Sequence, residues 1–236
     1  MMVFRFKQFD VDQSGCAMKI NTDGVLLGAM VKADEPHYIL DIGTGTGVIA
    51  LMMAQKFPGA VIDAVELDTA AAQTAGKNFG NSNFSNKLHV HPLGFEEYFN
   101  HHPEKKYDLI VANPPFYINS LEAAGDKMNL AKHTDQTFFE VLIKAVSAHL
   151  ASKGLCWLVL PVATASLVKK LILPYQLYVH HTINIHSFTD VDAHREVVVL
   201  GTIPVQSTTE RFIIYNSPKV YSKQYQEILK DFFTIF

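Results

Sequence analysis

The chain has 236 residues and a formal net charge of −3, from 20 lysines and arginines against 23 aspartates and glutamates. Charged residues make up 18% of the chain and apolar residues 48%, a composition that excludes a disordered chain, a coiled coil and a protein coated in positive charge. A local basic patch stays open, and the length predicts one or two domains with a sizeable core.

Short β-rich apolar runs alternate with helical patterns along the chain. Strands are predicted at residues 38–41, 61–66, 88–91, 107–112, 155–160, 178–187 and 196–203. Helices are predicted at residues 48–57, 69–79, 134–151, 163–173 and 221–233, the third ending at a C-cap signal of Lys153 and Gly154. The alternation predicts an α/β fold with a mostly parallel, seven-stranded sheet, helices on both faces and an antiparallel edge strand.

The chain shows no linker of the kind that separates domains. We therefore predict a single domain over residues 1–236, with a core at 38–204. An N-terminal appendage covers residues 1–30, and a tail at 211–236 holds a short strand and a helix.

The cysteines, the histidines and the apolar stretches of the chain argue against a disulfide framework, a metal site, a signal peptide and a membrane span. The two cysteines, Cys16 and Cys156, cannot make a disulfide framework or a zinc site, and none of the 11 histidines stands at a metal-ligand spacing. The N-terminus lacks the apolar core of a signal peptide, and the longest apolar stretch, 155–168, is too short to span a bilayer. We expect a reduced, cytoplasmic protein with no metal and no membrane segment.

A glycine-rich turn, DIGTGTG at residues 41–47, lies between the first predicted strand and its helix. Glycines let a ligand approach the main chain, and the helix N-terminus favours an anionic group. A dinucleotide fold needs G-x-G-x-x-G, but here the third glycine comes one residue early. That spacing, with the acidic residue two positions before the first glycine, favours S-adenosylmethionine over NAD. The alternative is a tight turn without a ligand. The candidate cofactor-binding residues are Asp41, Gly43, Thr44, Gly45 and Gly47.

Glu66 ends the second predicted strand, about 20 residues after the glycines. A carboxylate has two oxygens, which match the vicinal hydroxyls of a ribose. We predict that Glu66 and the adjoining Leu67 contact the cofactor, with Asp68 as a weaker candidate. The alternative is a solvated glutamate at a strand end. Asp63, inside the same strand, receives no role.

The fourth predicted strand is followed directly by Asn113, Pro114, Pro115 and Phe116. The prolines stiffen the backbone and leave carbonyls available as acceptors, Asn113 offers an amide, and Phe116 offers a flat apolar face. A planar substrate with an –NH2 group fits these four residues, which we predict to be catalytic, Asn113 also lying against the cofactor. In-line positioning of the amine against the methyl group would be most of the catalysis. A Pro-Pro turn without function is the alternative.

These motifs carry a resemblance. DIGTGTG, VELD and NPPF at this spacing resemble the class I S-adenosylmethionine-dependent methyltransferases, which implies their Rossmann-like fold. Within that fold, NPPF resembles the enzymes that methylate amino groups on planar systems. These include adenine N6 and guanine N2 methyltransferases of nucleic acids and the glutamine N5 methyltransferases of release factors, and the motif alone does not separate them.

The flanking segments narrow the resemblance. FKQF at 6–9, CAMKI at 16–20, TDGVLLG at 22–28 and the tail from YSKQY at 221–225 to DFF at 231–233 resemble the bacterial tRNA1(Val) adenine-N6 methyltransferases. This implies methylation of adenine 37, beside the anticodon of a valine tRNA, and a role for Asp23 in closing the cofactor pocket. Gly94 stands where methyltransferases often place an aspartate for the cofactor's adenine.

Because the chain has no overall positive charge, recognition of tRNA would have to come from local patches of basic residues. The candidates are Arg5, Lys7, Lys127, Lys132, Lys169, Lys170, Arg195, Lys219 and Lys223. A stem–loop target suits this design, because a loop base is splayed out at low cost. We favour a monomer. A glutamine methyltransferase is disfavoured because only about 35 residues precede the first strand, and a non-catalytic module because NPPF is intact.

Overall fold

The structure, a computed structural model, describes residues 3–114 and 126–236, and side chains within 126–149 from residue 136 onward. The strands are β1 (Val3–Arg5), β2 (Asp10–Asp12), β3 (Tyr38–Ile42), β4 (Val61–Val65), β5 (Leu88–His91), β6 (Tyr107–Ala112), β7 (Leu150–Pro161), β8 (Tyr178–His186), β9 (Ala193–Gly201), β10 (Thr208–Ile213), β11 (Tyr215–Ser217) and β12 (Val220–Tyr221). The helices are α1 (Thr22–Met30), α2 (Val48–Lys56), α3 (Thr69–Gly80), α4 (Phe95–His101), α5 (Asp126–His149), α6 (Val162–Leu171) and α7 (Lys223–Leu229).

The central sheet has the order β10-β8-β9-β7-β6-β3-β4-β5. Strands β5, β4, β3, β6 and β7 run parallel, and β9 is antiparallel to both β7 and β8. The mostly parallel α/β prediction is confirmed, as is the antiparallel pairing of the last two predicted strands. The sheet has eight strands rather than seven, because β10 pairs with β8. Strand β10 escapes prediction because four of its six residues are exposed and polar.

The antiparallel strand lies inside the sheet and not at its edge. Six consecutive residues of β9, from Glu196 to Gly201, are buried, as expected for a strand with a neighbour on each side and both faces covered. The edge position is taken by β10.

Helices cover both faces of the sheet, as predicted. Successive strand side chains point to opposite faces, so Ile39 joins one core and Leu40 the other. The first core is closed by α1, α2, α3 and α7, and the second by α4, α5 and α6.

The predicted C-cap at Lys153 and Gly154 is wrong, because α5 ends at His149 and the chain enters β7 at once. A Cβ atom on Gly154 would lie 2.8 Å from the carbonyl oxygen of Tyr107. The glycine is therefore needed where β7 passes close to β6, at an irregularity in their register.

The two ends of the chain pack together. Phe6 and Phe233 form an isolated β-bridge, and the Lys7 N–H donates to the Phe232 carbonyl at 2.7 Å. Helix α1 packs against α2 and α7, which joins the N-terminal segment to the sheet and to the tail. The division into appendage, core and tail stays a prediction. In residues 3–114 and 126–236, no helix is long and apolar enough to cross a membrane.

Candidate active site

The predicted motifs meet at one edge of the sheet. Strands β4, β3 and β6 are neighbours and run parallel, so their carboxyl ends lie side by side. Gly43 follows β3, Glu66 follows β4 and Asn113 follows β6. All three line a cavity of about 1030 Å³, together with Leu67 and Pro114. This volume is at the upper end of the range of small-molecule sites.

Two glycines of the turn have open space beside them, and the first, Gly43, lines the cavity. Gly43 and Gly45 have φ of +72° and +56°, values that favour glycine, and a Cβ atom on either would meet no heavy atom of the described residues within 4 Å. Gly47 has φ of +83° and serves another purpose, since its Cβ would lie 2.5 Å from the Phe79 ring. The first two glycines leave room for a ligand, and the third lets α2 begin close to α3.

Glu66 is held at the mouth of the glycine turn. Its Oε2 accepts a hydrogen bond from the Gly45 N–H at 2.8 Å, and its Oε1 accepts one from the Asp68 N–H at 2.9 Å. A carboxylate has about four lone-pair sites, so acceptor capacity remains on both oxygens. The position that was predicted for a ribose contact thus carries an oriented carboxylate facing the cavity.

Asp41 and Thr44, also predicted to bind the cofactor, are turned inward. Asp41 Oδ2 accepts from the Thr44 hydroxyl at 2.6 Å and from the Ala50 N–H at 3.2 Å. Complete burial raises the pKa of Asp41 to about 7, against the lowering effect of the bond from Thr44. These contacts tie the turn to the first helical turn of α2, so Asp41 and Thr44 shape the site from within the fold.

Asn113 carries an unused acceptor. Its Nδ2 donates to Asn21 Oδ1 at 3.4 Å, whereas its Oδ1 is buried and has no partner among the described residues. Because a buried polar atom normally has a partner, this oxygen is a candidate acceptor for a ligand N–H. Pro114, next in the chain, is buried.

Sequence reasoning missed the helix that positions Asn113. Asn21 is the N-cap of α1 and accepts from the Gly24 N–H at 2.9 Å. A Cβ atom on Gly24 would lie 3.3 Å from Asn113 Nδ2, so the first turn of α1 abuts the Asn113 amide. An asparagine just before an apolar run is a helix-start signal that could have revealed this element.

Asp23, on the same helix, forms an ion pair with a residue of β9. Its Oδ2 lies 2.8 Å from Nε of Arg195, which joins α1 to β9. Arg195 was predicted as an RNA contact, and its guanidinium is here engaged with Asp23. Lys169, another predicted RNA contact, pairs with Glu196.

The part of the cavity lining that comes from α4 and α5 combines apolar side chains with carboxylates. Phe95, Phe138 and Leu142 form part of the wall. Gly94 is the N-cap of α4, and Glu96 lies in the first turn of that helix. The helix was absent from the predicted elements. Its seven residues place two carboxylates, Glu96 and Glu97, along the cavity that also holds Glu66 and Asp68. This arrangement suits a ligand with a flat apolar ring and a positive charge.

Pro115, Phe116 and the side chains of Lys127 and Lys132 lie outside the described residues. Their predicted roles stay predictions. Within the described part of the chain, no group of three or more His, Cys, Asp or Glu comes together as a metal site.

Comparison with known proteins gives consistent matches. The model of the methyltransferase small domain family matches residues 16–165. A tRNA1(Val) (adenine(37)-N6)-methyltransferase from Pedobacter heparinus is 46% identical, covering 99% of this chain and 98% of the relative. A protein of the same name from Flavobacterium psychrophilum is 36% identical, covering 98% of this chain and 99% of the relative.

Solved structures agree in fold. A predicted O-methyltransferase from Agrobacterium tumefaciens has a TM-score of 0.70 at 17% identity, covering 89% of this chain and 96% of that one. TrmN from Thermus thermophilus has a TM-score of 0.56 at 21% identity, covering 77% of this chain and 48% of that one. At these identities the likeness is one of fold alone, the predicted Rossmann-like α/β arrangement.

Proposed function

We propose that this chain, which belongs to the methyltransferase small domain family and to the family of the tRNA1(Val) (adenine(37)-N6)-methyltransferases, methylates N6 of an unpaired adenine in a tRNA anticodon loop. By the names of its relatives, the adenine is position 37 of tRNA1(Val). The observation that carries the proposal is Oδ1 of Asn113, which is buried beside the cavity at the end of β6 and has no partner in residues 3–114 or in the described side chains from residue 136 onward.

S-adenosylmethionine is the methyl donor of this family, and the cavity fits it. The open space at Gly43 suits the methionine portion, and the Glu66 carboxylate suits the ribose hydroxyls. The apolar wall beside Gly94 suits the adenine ring. When bound, the cofactor supplies a methyl group on a positively charged sulfur, with a neutral thioether as leaving group.

The residues of the chain position the amine. Asn113 Oδ1 accepts a hydrogen bond from the substrate N–H, which orients the nitrogen lone pair toward the cofactor side of the cavity. Asn21 holds the other end of the Asn113 amide through Nδ2, so the acceptor oxygen is the end turned to the substrate. Pro114 restricts the backbone at this point. Orientation of this kind accounts for a large part of the rate of a bimolecular transfer.

An unpaired loop adenine fits this site better than a paired base. The amine must reach an acceptor that is buried at the edge of the sheet, and a loop base is splayed out at little cost. We also propose that the protein acts in the cytoplasm, where tRNA is modified, and that it acts as a monomer.

The proposal is tested with purified protein, S-adenosylmethionine and a tRNA1(Val) transcript. Mass spectrometry of the digested nucleosides is expected to find N6-methyladenosine, and a transcript with guanine at position 37 is expected to yield none. Methylation of a release-factor glutamine, with no methylation of RNA, would contradict the proposal.

A further inference from the structure

A second cleft lies between the N-terminal segment and the C-terminal tail. Its volume is about 580 Å³, which falls within the range of sites for small molecules or single nucleotide units. The apolar part of its lining includes Phe4, Val25, Tyr221, Tyr225 and Phe233. The proposed methyl transfer does not use this cleft.

The cleft adjoins the catalytic amide. Residues 18–22 border both cavities, since Met18 lines the larger one, whereas Ile20 and Asn21 line the second. Asn21 Oδ1 accepts from Asn113 Nδ2 at 3.4 Å, so one side chain borders the cleft and also holds the catalytic residue. A substrate with its reactive amine at Asn113 therefore has its neighbouring atoms within reach of the cleft.

Charge differs between the two cavities. Four carboxylates line the larger one, from Glu66, Asp68, Glu96 and Glu97. No acidic side chain in the described part of the chain lines the second cleft, whose charged residue is the exposed Arg5. An acidic cavity attracts a cationic cofactor, whereas an acid-free cleft with an arginine suits a polyanion.

The walls of the cleft are held by ring contacts. Tyr221 stacks on Tyr225, with centroids 4.5 Å apart and planes at 8°. Phe4 packs against Phe233 at 5.5 Å, and Phe233 is bridged to Phe6. A cleft that is already formed does not lose binding energy to ordering its own side chains.

We propose that this cleft binds an unpaired nucleobase of the RNA substrate, next to the adenine that is methylated. The base packs against the apolar and aromatic lining, and Arg5 faces the backbone phosphate. This inference rests on the proposed function and deepens it, because it assigns the surface that recognises the RNA loop. It explains how a chain with a net charge of −3 binds RNA through a shaped cleft and few cations.

The test compares Ile235→Asp with Ile203→Asp. Ile235 lines the cleft and is 68% exposed, so the substitution spares the core. Ile203 is 43% exposed and follows the end of β9, which lies beside the start of β7 and therefore at the opposite end of the strands from Gly43, Glu66 and Asn113; this makes it the matched control. The probes are anticodon stem–loop RNAs, one intact and two with an abasic nucleotide on either side of the target adenine. Binding is measured by fluorescence anisotropy and methylation by mass spectrometry.

In the unsubstituted protein, one of the abasic RNAs is expected to bind about tenfold more weakly than the intact RNA. Ile235→Asp is expected to bind intact RNA about tenfold more weakly than the unsubstituted protein does. Its affinity for that abasic RNA should be no lower than its affinity for intact RNA, and its cofactor affinity should be unchanged. Arg5→Glu is expected to weaken binding of every RNA, unlike Lys153→Glu, which changes an exposed residue near the start of β7.

Two results would overturn the inference while the proposed function stands. In both cases the unsubstituted protein methylates RNA. In the first, Ile235→Asp and Ile203→Asp bind the intact RNA with equal affinity. In the second, the abasic nucleotide weakens RNA binding by the same factor in both variants. If the unsubstituted protein methylates no RNA, the proposed function fails and this inference fails with it.

Discussion

Asn21 and Asn113 are joined through their side-chain amides, with Nδ2 of Asn113 donating to Oδ1 of Asn21 at 3.4 Å. The contact links the end of β6 to the N-cap of α1, which are 92 residues apart in the chain. It assigns opposite tasks to the two ends of one amide. Nδ2 is held by the protein, whereas Oδ1 has no partner among the described residues and is the atom that we propose to accept from the substrate.

Asn113→Ala is expected to lower the single-turnover rate of methyl transfer by about a hundredfold or more, because it removes the acceptor that orients the amine. Calorimetry with S-adenosylhomocysteine should give nearly unchanged affinity. Asn100→Ala, on the rim of the same cavity, is the control and should keep most of the rate. A large loss of cofactor affinity in Asn113→Ala would contradict the assigned role.

Gly24→Ala tests the positioning of Asn113 by α1. The added Cβ would lie 3.3 Å from Asn113 Nδ2, so the amide must shift by a few tenths of an ångström. We expect kcat to fall about tenfold. Stability should hold or rise, because alanine favours a helix over glycine by about 1 kcal/mol.

Gly80→Ala, at the end of α3, is the matched control, because its Cβ would meet nothing of the described residues within 4 Å. It should leave kcat unchanged. Equal rates in Gly24→Ala and Gly80→Ala would show that the contact with α1 does not matter for the reaction.

Glu66→Gln is expected to weaken cofactor binding about tenfold in calorimetry, since a neutral amide accepts the ribose hydroxyls less well than a carboxylate. One oxygen remains to accept from the Gly45 or the Asp68 N–H, so the fold should persist. The exposed Glu104→Gln serves as control. Unchanged affinity in Glu66→Gln would remove the ribose assignment.

The raised pKa of Asp41 predicts that the stability of the fold depends on pH. Burial raises its pKa to about 7 from the usual 3.8 of an aspartate, so between these pH values the folded chain keeps a proton that the unfolded chain has lost. The contribution of Asp41 to stability is therefore largest below pH 3.8, decreases as pH rises toward 7 and is flat above.

Urea titrations at several pH values measure this effect. Asp41→Asn should lack the decrease, which we expect to be on the order of a few kcal/mol in the unsubstituted protein. Asp34→Asn, at an exposed position, should follow the unsubstituted protein. If the free energy of unfolding varied with pH in the same way in Asp41→Asn and in the unsubstituted protein, a raised pKa of the buried Asp41 carboxyl would be excluded.

The sequence predicted the core strands well, because buried strands have strong local signals, and it placed Gly43, Glu66 and Asn113 directly after three of them. It missed β10, whose exposed polar residues carry no period, and α4, which is only seven residues long. The contact between Asn21 and Asn113, like the inward turn of Asp41, depends on packing between distant elements and has no local pattern. Asp63, left without a role, is a buried carboxylate bound by His91, Lys105 and Tyr107. Burial opposes its ionisation, but these hydrogen bonds outweigh burial and hold the pKa of Asp63 well below its usual range.

The most direct test is mass spectrometry of the modified nucleosides of total tRNA from cells with and without the gene. We predict that N6-methyladenosine disappears from the anticodon-loop fragment of tRNA1(Val) in the deletion strain. It should return with the intact gene but not with Asn113→Ala. An unchanged level of N6-methyladenosine in that fragment after deletion would contradict the proposed function.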